Sequence, residues 1–232
     1  MKAVVLAAGV GSRLGPLTEH TPKCLLPVQG RPLLDYWFES LKLAGVTDVF
    51  INVHHLKERV EDYVASQQHV PSVTTFFEPT LLGSAGTLLK AREFVGGDED
   101  FFIIYADNFA RIDLTRLYAF HRAHSRSLLT LVAYATDRPQ QCGILELDHD
   151  GRVLSFEEKP PVPKSNIANS GIHVASAKIF DRLLSIIPAD IGFDVLPTLI
   201  GEIYGYVTSE IIIDIGTPET YRAVQSMSLK FN

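Results

Sequence analysis

The stretch LAAGVGSRLGPLTEHTPKCLLP, Leu6–Pro27, follows a short apolar run and opens on closely spaced glycines. A Gly-rich turn after a first strand lets backbone N–H groups approach phosphate oxygens. Two common phosphate cradles can be tested by counting. The dinucleotide fingerprint needs G-x-G-x-x-G. Gly9 and Gly11 fit it, but the third position is Leu14 and the next glycine is Gly15. The second strand should then end in an acidic residue for the ribose, and DVFINVHH offers Asn52 and His54 instead. A P-loop needs G-x-x-x-x-G-K-[ST], and Gly15 is followed by Pro16 and Leu17. Both cradles are excluded. A nucleotide cradle of another kind remains. Gly9 and Gly11 would admit the phosphates, Arg13 would fork onto one, and Lys23, between Pro22 and a strand-like CLLP, would aim its ammonium at a reacting phosphate. A tight connection carrying solvated Arg and Lys would explain the same residues taken alone.

The surrounding pattern decides the fold class. KAVVLAA (Lys2–Ala8) and FFIIYAD (Phe101–Asp107) are continuous apolar runs, as in strands buried on both faces. DVFINV (Asp48–Val53) and VTTFFE (Val73–Glu78) read as further strands. PLLDYWFESLKLAGV places Leu33, Leu34, Trp37, Leu41 and Ala44 on one helical face, with Pro32 at the start and Gly45 as a stop. Helices are expected at Leu56–Gln67 and Ala85–Val95. This β-α-β-α-β-α-β order predicts a mainly parallel sheet with helices on both sides.

Beyond residue 127 the pattern changes. Leu128–Ala135 reads as a strand, Gly143–Pro160 as a hairpin about Asp150-Gly151, and Asn169–Ser176 as a strand. Helices are expected at Ala177–Leu184 and near Phe193–Leu199, then a last strand at Ile211–Gly216. Thr217 should cap the helix of PETYRAVQSMSL, with Pro218 in its first turn. The expectation is a single domain over residues 1–232. Residues 1–127 form mainly a nucleotide half and residues 128–232 a mixed half that completes the site.

Composition narrows the function. The 232 residues are 46% hydrophobic and 21% charged, typical of a globular chain. The net charge of -6 gives no general attraction for nucleic acid or anionic membrane. Any phosphate must therefore be held by local positive charge. The two cysteines, Cys24 and Cys142, and the absence of a signal-like or spanning segment suit a reduced, cytoplasmic protein.

Leu6–Leu33 resembles the signature of the sugar-1-phosphate nucleotidyltransferases, L-A-A-G-x-G-x-R-L-x-P-L-T-x-x-x-P-K-x-L-L-P-V-x-G-x-P-L, at every fixed position. The resemblance continues through LLGSAGTLL, YADN, FEEKP, NSGIH and IDIGTPETY in family order, so it covers nearly the whole chain. It implies a Rossmann-like three-layer α/β/α fold with a mixed, mainly parallel sheet and a small sugar-binding lobe, without a C-terminal β-helix. The reaction implied is NTP plus sugar-1-phosphate giving NDP-sugar and pyrophosphate.

The same resemblance implies the site. Leu6, Ala8, Gly9, Gly11, Ser12 and Arg13 would bind the nucleotide together with Gly83, Ser84, Ala85 and Gly86, where small residues leave room for the base and ribose. Lys23 would meet the α-phosphate and Arg13 the outgoing pyrophosphate. Asp107 and Asp214, each ending an apolar run, would hold Mg²⁺ with the substrate phosphates. Each Asp alone would serve equally well as a cap or turn residue. Lys159 would bind the sugar phosphate, with Asn108, Gly143, Glu158, Asn169 and Gly171 around the sugar and Glu157 solvated. His54 and His55 read as loop residues, His121 and His124 as a solvated helix face, and Cys24 as packing.

LGSAGTLL is similar to the L-G-T-A-G-A-L stretch of guanylyltransferases for mannose-1-phosphate, and the chain ending is similar to short enzymes for heptose-1-phosphate. GTP with a manno-configured sugar phosphate is favoured, in nucleotide-sugar synthesis for cell-surface polysaccharide. Uridylyl-, thymidylyl- or cytidylyltransferase activity on a muramate- or glucose-type phosphate is the alternative. A non-catalytic sugar-nucleotide-binding homologue and an enzyme for a non-sugar phosphate such as phosphocholine are further readings. The presence of Lys23, Asp107 and Asp214 together disfavours the first, and FEEKP with NSGIH disfavours the second. A homodimer is left open.

Overall fold

The computed structural model describes residues 1–67, 71–97, 99–183 and 186–227. In chain order it has β1 (Lys2–Leu6), the short hairpin β2 (Pro27–Val28) and β3 (Arg31–Pro32), α1 (Leu33–Leu43), β4 (Asp48–Val53), α2 (Lys57–Ser66) and β5 (Ser72–Phe77). Then come α3 (Gly83–Lys90), α4 (Arg92–Val95), β6 (Asp100–Tyr105), β7 (Asn108–Arg111), α5 (Leu114–Ala123) and β8 (Leu129–Ala135). The remainder is β9 (Gly143–Leu147), β10 (Val153–Glu158), β11 (Ile167–Ser176), β12 (Ile203–Val207), β13 (Ile211–Asp214) and α6 (Pro218–Ser226).

One mixed sheet runs in the order β10-β9-β11-β6-β1-β4-β5, with β8 on β11 and β12 on β8. The four strands β6, β1, β4 and β5 are mutually parallel, with Leu6 in register with both Asn52 and Tyr105. β11 reverses the direction and pairs antiparallel with β6, β8 and β9. This is the α/β, Rossmann-like architecture. No helix among the described residues is long and apolar enough to cross a membrane.

Alternation explains why the first strands are apolar throughout. Ala3, Val5, Phe102 and Ile104 face one core, with Leu34 and Trp37 of α1, Leu117 of α5 and Val224 of α6. Val4, Phe101 and Ile103 face the other, with Leu88 of α3, Val95 of α4 and Phe180. A strand covered on both faces has no polar side to show.

Several elements depart from expectation. The helix expected over 85–95 starts two residues earlier and breaks at Ala91 into α3 and α4. Ala177–Asp181 is a 3₁₀ turn, and Leu184 lies outside the described residues; the last helix ends at Ser226, and residues 228 and 229 of its expected span lie outside the described residues. The segment near Phe193–Leu199 is a π turn at Ile191–Val195 followed by a 3₁₀ turn. β6 stops at Tyr105, so Asp107 sits in the turn that leads to β7. β13 leaves the main sheet and pairs with β7, an element the pattern did not disclose, as a separate ribbon. β12 was also not foreseen. Thr217 caps α6 as expected, in a reciprocal pair with Thr220.

The α5 histidines are not solvated. His121 is buried, with Nδ1 2.8 Å from Thr130 Oγ1 and Nε2 3.7 Å from Asp100, and burial lowers its pKa. His124 is half-buried between the rings of Phe120 and Tyr204, with centroids 4.3 and 4.4 Å away. Apolar residues at i−4 and on β12 turn that face inward.

His173 of β11 is fully buried, and neither ring nitrogen has a partner among the described residues. Burial pushes its pKa down to about 3. The unfolded chain therefore binds one proton more than the folded one between about pH 6.5 and pH 3. Stability should fall as pH drops through that window, by about 2 kcal/mol from this residue on going from pH 7.5 to 5. Urea titrations at both pH values should show that loss in the native chain and a smaller one in His173→Leu. An equal loss in both would absolve His173.

Candidate active site

The parallel strands β1, β4 and β6 end on the same side, where ligands bind in open α/β sheets. A cleft opens there, lined by Leu6, Ala8 and Gly9 after β1, Asn52 of β4, Glu78 after β5, Gly83, Ser84 and Thr87 of α3, and Tyr105 and Asp107 after β6. Lys23, Cys24, Leu81 and Asp190 also line it. A polar network ties these loops together. Asn52 Oδ1 accepts from Ala7 N at 2.6 Å, and its Nδ2 donates to Glu78 Oε1 and Thr87 Oγ1 at 2.9 and 3.1 Å. Glu78 also accepts from the Thr87 hydroxyl and from Leu82 N. Glu78 is 1% exposed, so the hydrogen bonds to its carboxylate offset the cost of burial.

A second, more polar pocket adjoins the first. Asn108, Gly143, Glu158, Lys159, Asn169, Gly171 and Asp214 line it, together with Tyr134, Cys142, Gly192 and Phe193. Tyr105, Asp107 and Asp190 line both pockets. Burial holds the Glu158 carboxyl above its usual range, opposed by Lys159 and reinforced by Asp190. Close approach explains Gly143: a Cβ there would lie 2.5 Å from Glu158 Oε2. Lys159 follows with φ +50°, a left-handed conformation that a non-glycine residue adopts at a cost, and its N donates to Cys142 O at 3.0 Å. Its Nζ is 3.7 Å from Glu158. Asn169 accepts from Gly171 N, at a register shift in β11.

Where the pockets meet, charge converges. Lys23 sits on a 3₁₀ turn, Lys23–Leu25, rather than beside a strand, and is buried. Its Nζ lies 2.9 Å from Asp107 Oδ2 and 3.3 Å from Asp214 Oδ1. The β7–β13 ribbon makes this meeting: its register pairs Asn108 with Asp214, and Ile215 N donates to Asp107 O. The two carboxylates are about half exposed and face the pockets. Among the described residues no three His, Cys, Asp or Glu side chains converge, so there is no all-protein metal cage. The two carboxylates meet at the Lys23 ammonium and are otherwise open to the pockets, and a pair of hard oxygens suits a divalent cation only where substrate phosphates and water supply the remaining ligands.

Some expected residues lie elsewhere. Ala85 and Gly86 do not line the cleft: their backbone N–H groups are bonded to Ala189 O at 2.9 and 3.3 Å, on the buried side of α3. Ser84 lines it, but its hydroxyl is engaged by Asp190 and by Ile191 N. Gly11 and Ser12 are outside it, and the Gly11 carbonyl takes the Thr18 hydroxyl. Arg13 is also outside, 67% exposed and 3.8 Å from Asp214. Asn108 lines the second pocket, but its amide donates to Ser170 O and so braces β11. Cys24 is buried, its thiol pushed up to about 12, which suits packing and not nucleophilic attack. His54 and His55 are loop residues bonded to the Glu78 and Thr18 carbonyls. Glu157 is exposed.

Pocket-lining residues not foreseen include Asn52, Glu78, Thr87, Tyr105, Tyr134, Cys142, Asp190, Gly192 and Phe193. Asn52 carried a signal, a polar side chain inside the otherwise apolar carboxyl end of β4. Asp190 and Phe193 carried none, because their part depends on a turn packed across α3.

The family model described as nucleotidyl transferase matches residues 2–230. The chain belongs to that family. Among relatives, a mannose-1-phosphate guanyltransferase beta-A of Xenopus laevis is 30% identical over 99% of this chain and 65% of its own length. A UTP–glucose-1-phosphate uridylyltransferase of Synechocystis is also 30% identical, over 98% of this chain and 63% of its own. The chain thus spans somewhat less than two thirds of these relatives. Among solved structures, HddC from Yersinia pseudotuberculosis complexed with GMP-PN is 28% identical, with a TM-score of 0.79 over 97% of each chain. The family's members similar to this chain therefore include guanylyl and uridylyl types.

Proposed function

We propose that the protein transfers a nucleotidyl group from an NTP to a sugar-1-phosphate and releases pyrophosphate. The observation that carries this reading is the junction of the two pockets. One pocket is mainly apolar with a glycine-lined mouth, the other is polar with a lysine, and they share a wall at Asp107. Two phosphorylated substrates bound side by side would meet there.

The chemistry then needs no covalent nucleophile. A sugar-phosphate oxygen attacks the α-phosphorus in line, and the bond from that phosphorus to the pyrophosphate oxygen breaks. Both substrates are anions, so the site must neutralise charge and hold geometry. Lys23 would stabilise charge at the α-phosphate, and Lys159 would hold the sugar phosphate beside it. Asp107 and Asp214 would hold Mg²⁺, which supplies further charge neutralisation when bound. Arg13, at the cleft edge, would meet the departing pyrophosphate.

GTP is the favoured nucleotide, and mannose- or D-manno-heptose-1-phosphate the favoured acceptor. The stretch LGSAGTLL, similar to the L-G-T-A-G-A-L of guanylyltransferases for mannose-1-phosphate, supports the base. The test is a pyrophosphate-release assay crossing GTP, UTP, CTP, ATP and dTTP with a panel of sugar-1-phosphates. Silence with every pair would return the reading to a non-catalytic binder.

A further inference from the structure

One turn of chain, Ala189–Phe193, bridges the two pockets. Ala189 is fixed to α3 through Ala85 N, Gly86 N and Leu82 O. No side chain fits at Gly83, where φ is +75° and a Cβ would lie 2.2 Å from Ala189 O. The Ser84 hydroxyl donates to Asp190 Oδ2 at 2.8 Å and accepts from Ile191 N at 2.7 Å. Asp190 Oδ1 accepts from Gly192 N and Phe193 N at 2.8 and 3.2 Å. The turn is thus clamped to the helix that lines one pocket, while its tip lines the other.

That tip presents an aromatic ring. Phe193 is 58% exposed, yet it borders the polar pocket beside Glu158 and Lys159. The Lys159 ammonium lies 5.8 Å from the ring centroid. An apolar ring at the rim of a pocket of carboxylate, ammonium and amide groups needs a partner with both characters.

We infer that Phe193 is the wall on which the sugar ring of the second substrate stacks, and that Ser84 and Asp190 position it. This rests on the sugar-1-phosphate reading. A pyranose carries hydroxyls on its edge and C–H groups on its faces. The C–H hydrogens bear partial positive charge and match the negative face of an aromatic ring. With the phosphate at Lys159, the attached ring lies over Phe193 and its hydroxyls face Glu158 and Asn169. Ser84 lies on a nucleotide-side helix but acts on the sugar, through Asp190, as a positioning residue.

Steady-state kinetics with saturation-transfer NMR test this. Phe193→Ala should raise KM for the sugar phosphate about tenfold and leave KM for the NTP within about twofold. Phe193→Trp should restore most of the loss, and Phe193→Leu only part. Ser84→Ala should raise the same KM about threefold, with Ser84→Thr restoring it by keeping the hydroxyl. Saturation of protein aromatic protons should reach the ring protons of mannose-1-phosphate in the native chain and weaken in Phe193→Ala. An active enzyme whose sugar-phosphate KM and transfer survive Phe193→Ala would overturn the stacking alone. A rise in NTP KM with Ser84→Ala would overturn the positioning. A native chain silent with every substrate pair, and showing no transfer, would defeat the parent reading and this inference with it.

Discussion

Lys23→Met is expected to lower kcat about a thousandfold and to leave KM for the sugar phosphate nearly unchanged. The Lys23 ammonium is buried and lies within 3.3 Å of both Asp107 and Asp214. A charge shielded from water acts more strongly on a nearby phosphate than one in solvent. Methionine keeps the volume of the aliphatic stem, so the packing around it survives. The carboxylates left behind are about half exposed and stay solvated, so the thermal midpoint should move little. Initial rates by pyrophosphate release, with a melting curve beside them, give the answer. A raised sugar-phosphate KM with unchanged kcat would make Lys23 a ground-state anchor, the part proposed for Lys159.

Asp107→Asn should be at least as severe, with a loss of about a thousandfold or more in Mg²⁺-supported turnover. The substitution keeps size and one carbonyl acceptor and removes the charge. Asp107 lines both pockets and sits in the turn between β6 and β7, away from the core. The fold should therefore persist. Turnover measured across a Mg²⁺ titration separates two causes. A higher Mg²⁺ requirement marks a lost ligand, and a lower plateau at saturation marks lost charge at the reacting centre. A fully active variant would remove Asp107 from the site.

The fold was legible because its first half is made of long, unambiguous runs. Strands such as Lys2–Leu6 and Asp100–Tyr105 are apolar on both faces, and Leu33–Leu43 has a clear apolar stripe. β12, IYGYV, was missed because a central glycine and two tyrosines break the apolar signal. The strand at Ile211–Gly216 is readable along the chain, but its partner is not, since β7 is a four-residue strand that follows a turn. The meeting of Lys23, Asp107 and Asp214 follows from topology, which spacing alone does not encode. His121 was misread because helix periodicity gives a face but not what packs on it; Thr130 and Asp100 claim that face. Ala85 and Gly86 read as ligand contacts because they are small, but their backbone N–H groups go to Ala189 O and a side chain at Gly86 would meet Leu82 and Ile187. Asn52 could have been found by asking why the buried end of β4 should carry a polar side chain.

The ion pair between Lys23 and Asp214 spans 191 residues of chain. During synthesis the amino-terminal strands emerge first and can begin to pair, but Lys23 then faces Asp107 alone. The second carboxylate arrives only after β12 has joined the sheet and β13 has turned back onto β7. Fragments released before that point lack one side of the reacting centre and are expected to be inert. Activity in a translation mixture would therefore count nearly completed chains, lagging the appearance of the amino-terminal strands by the time needed to make about half of the molecule.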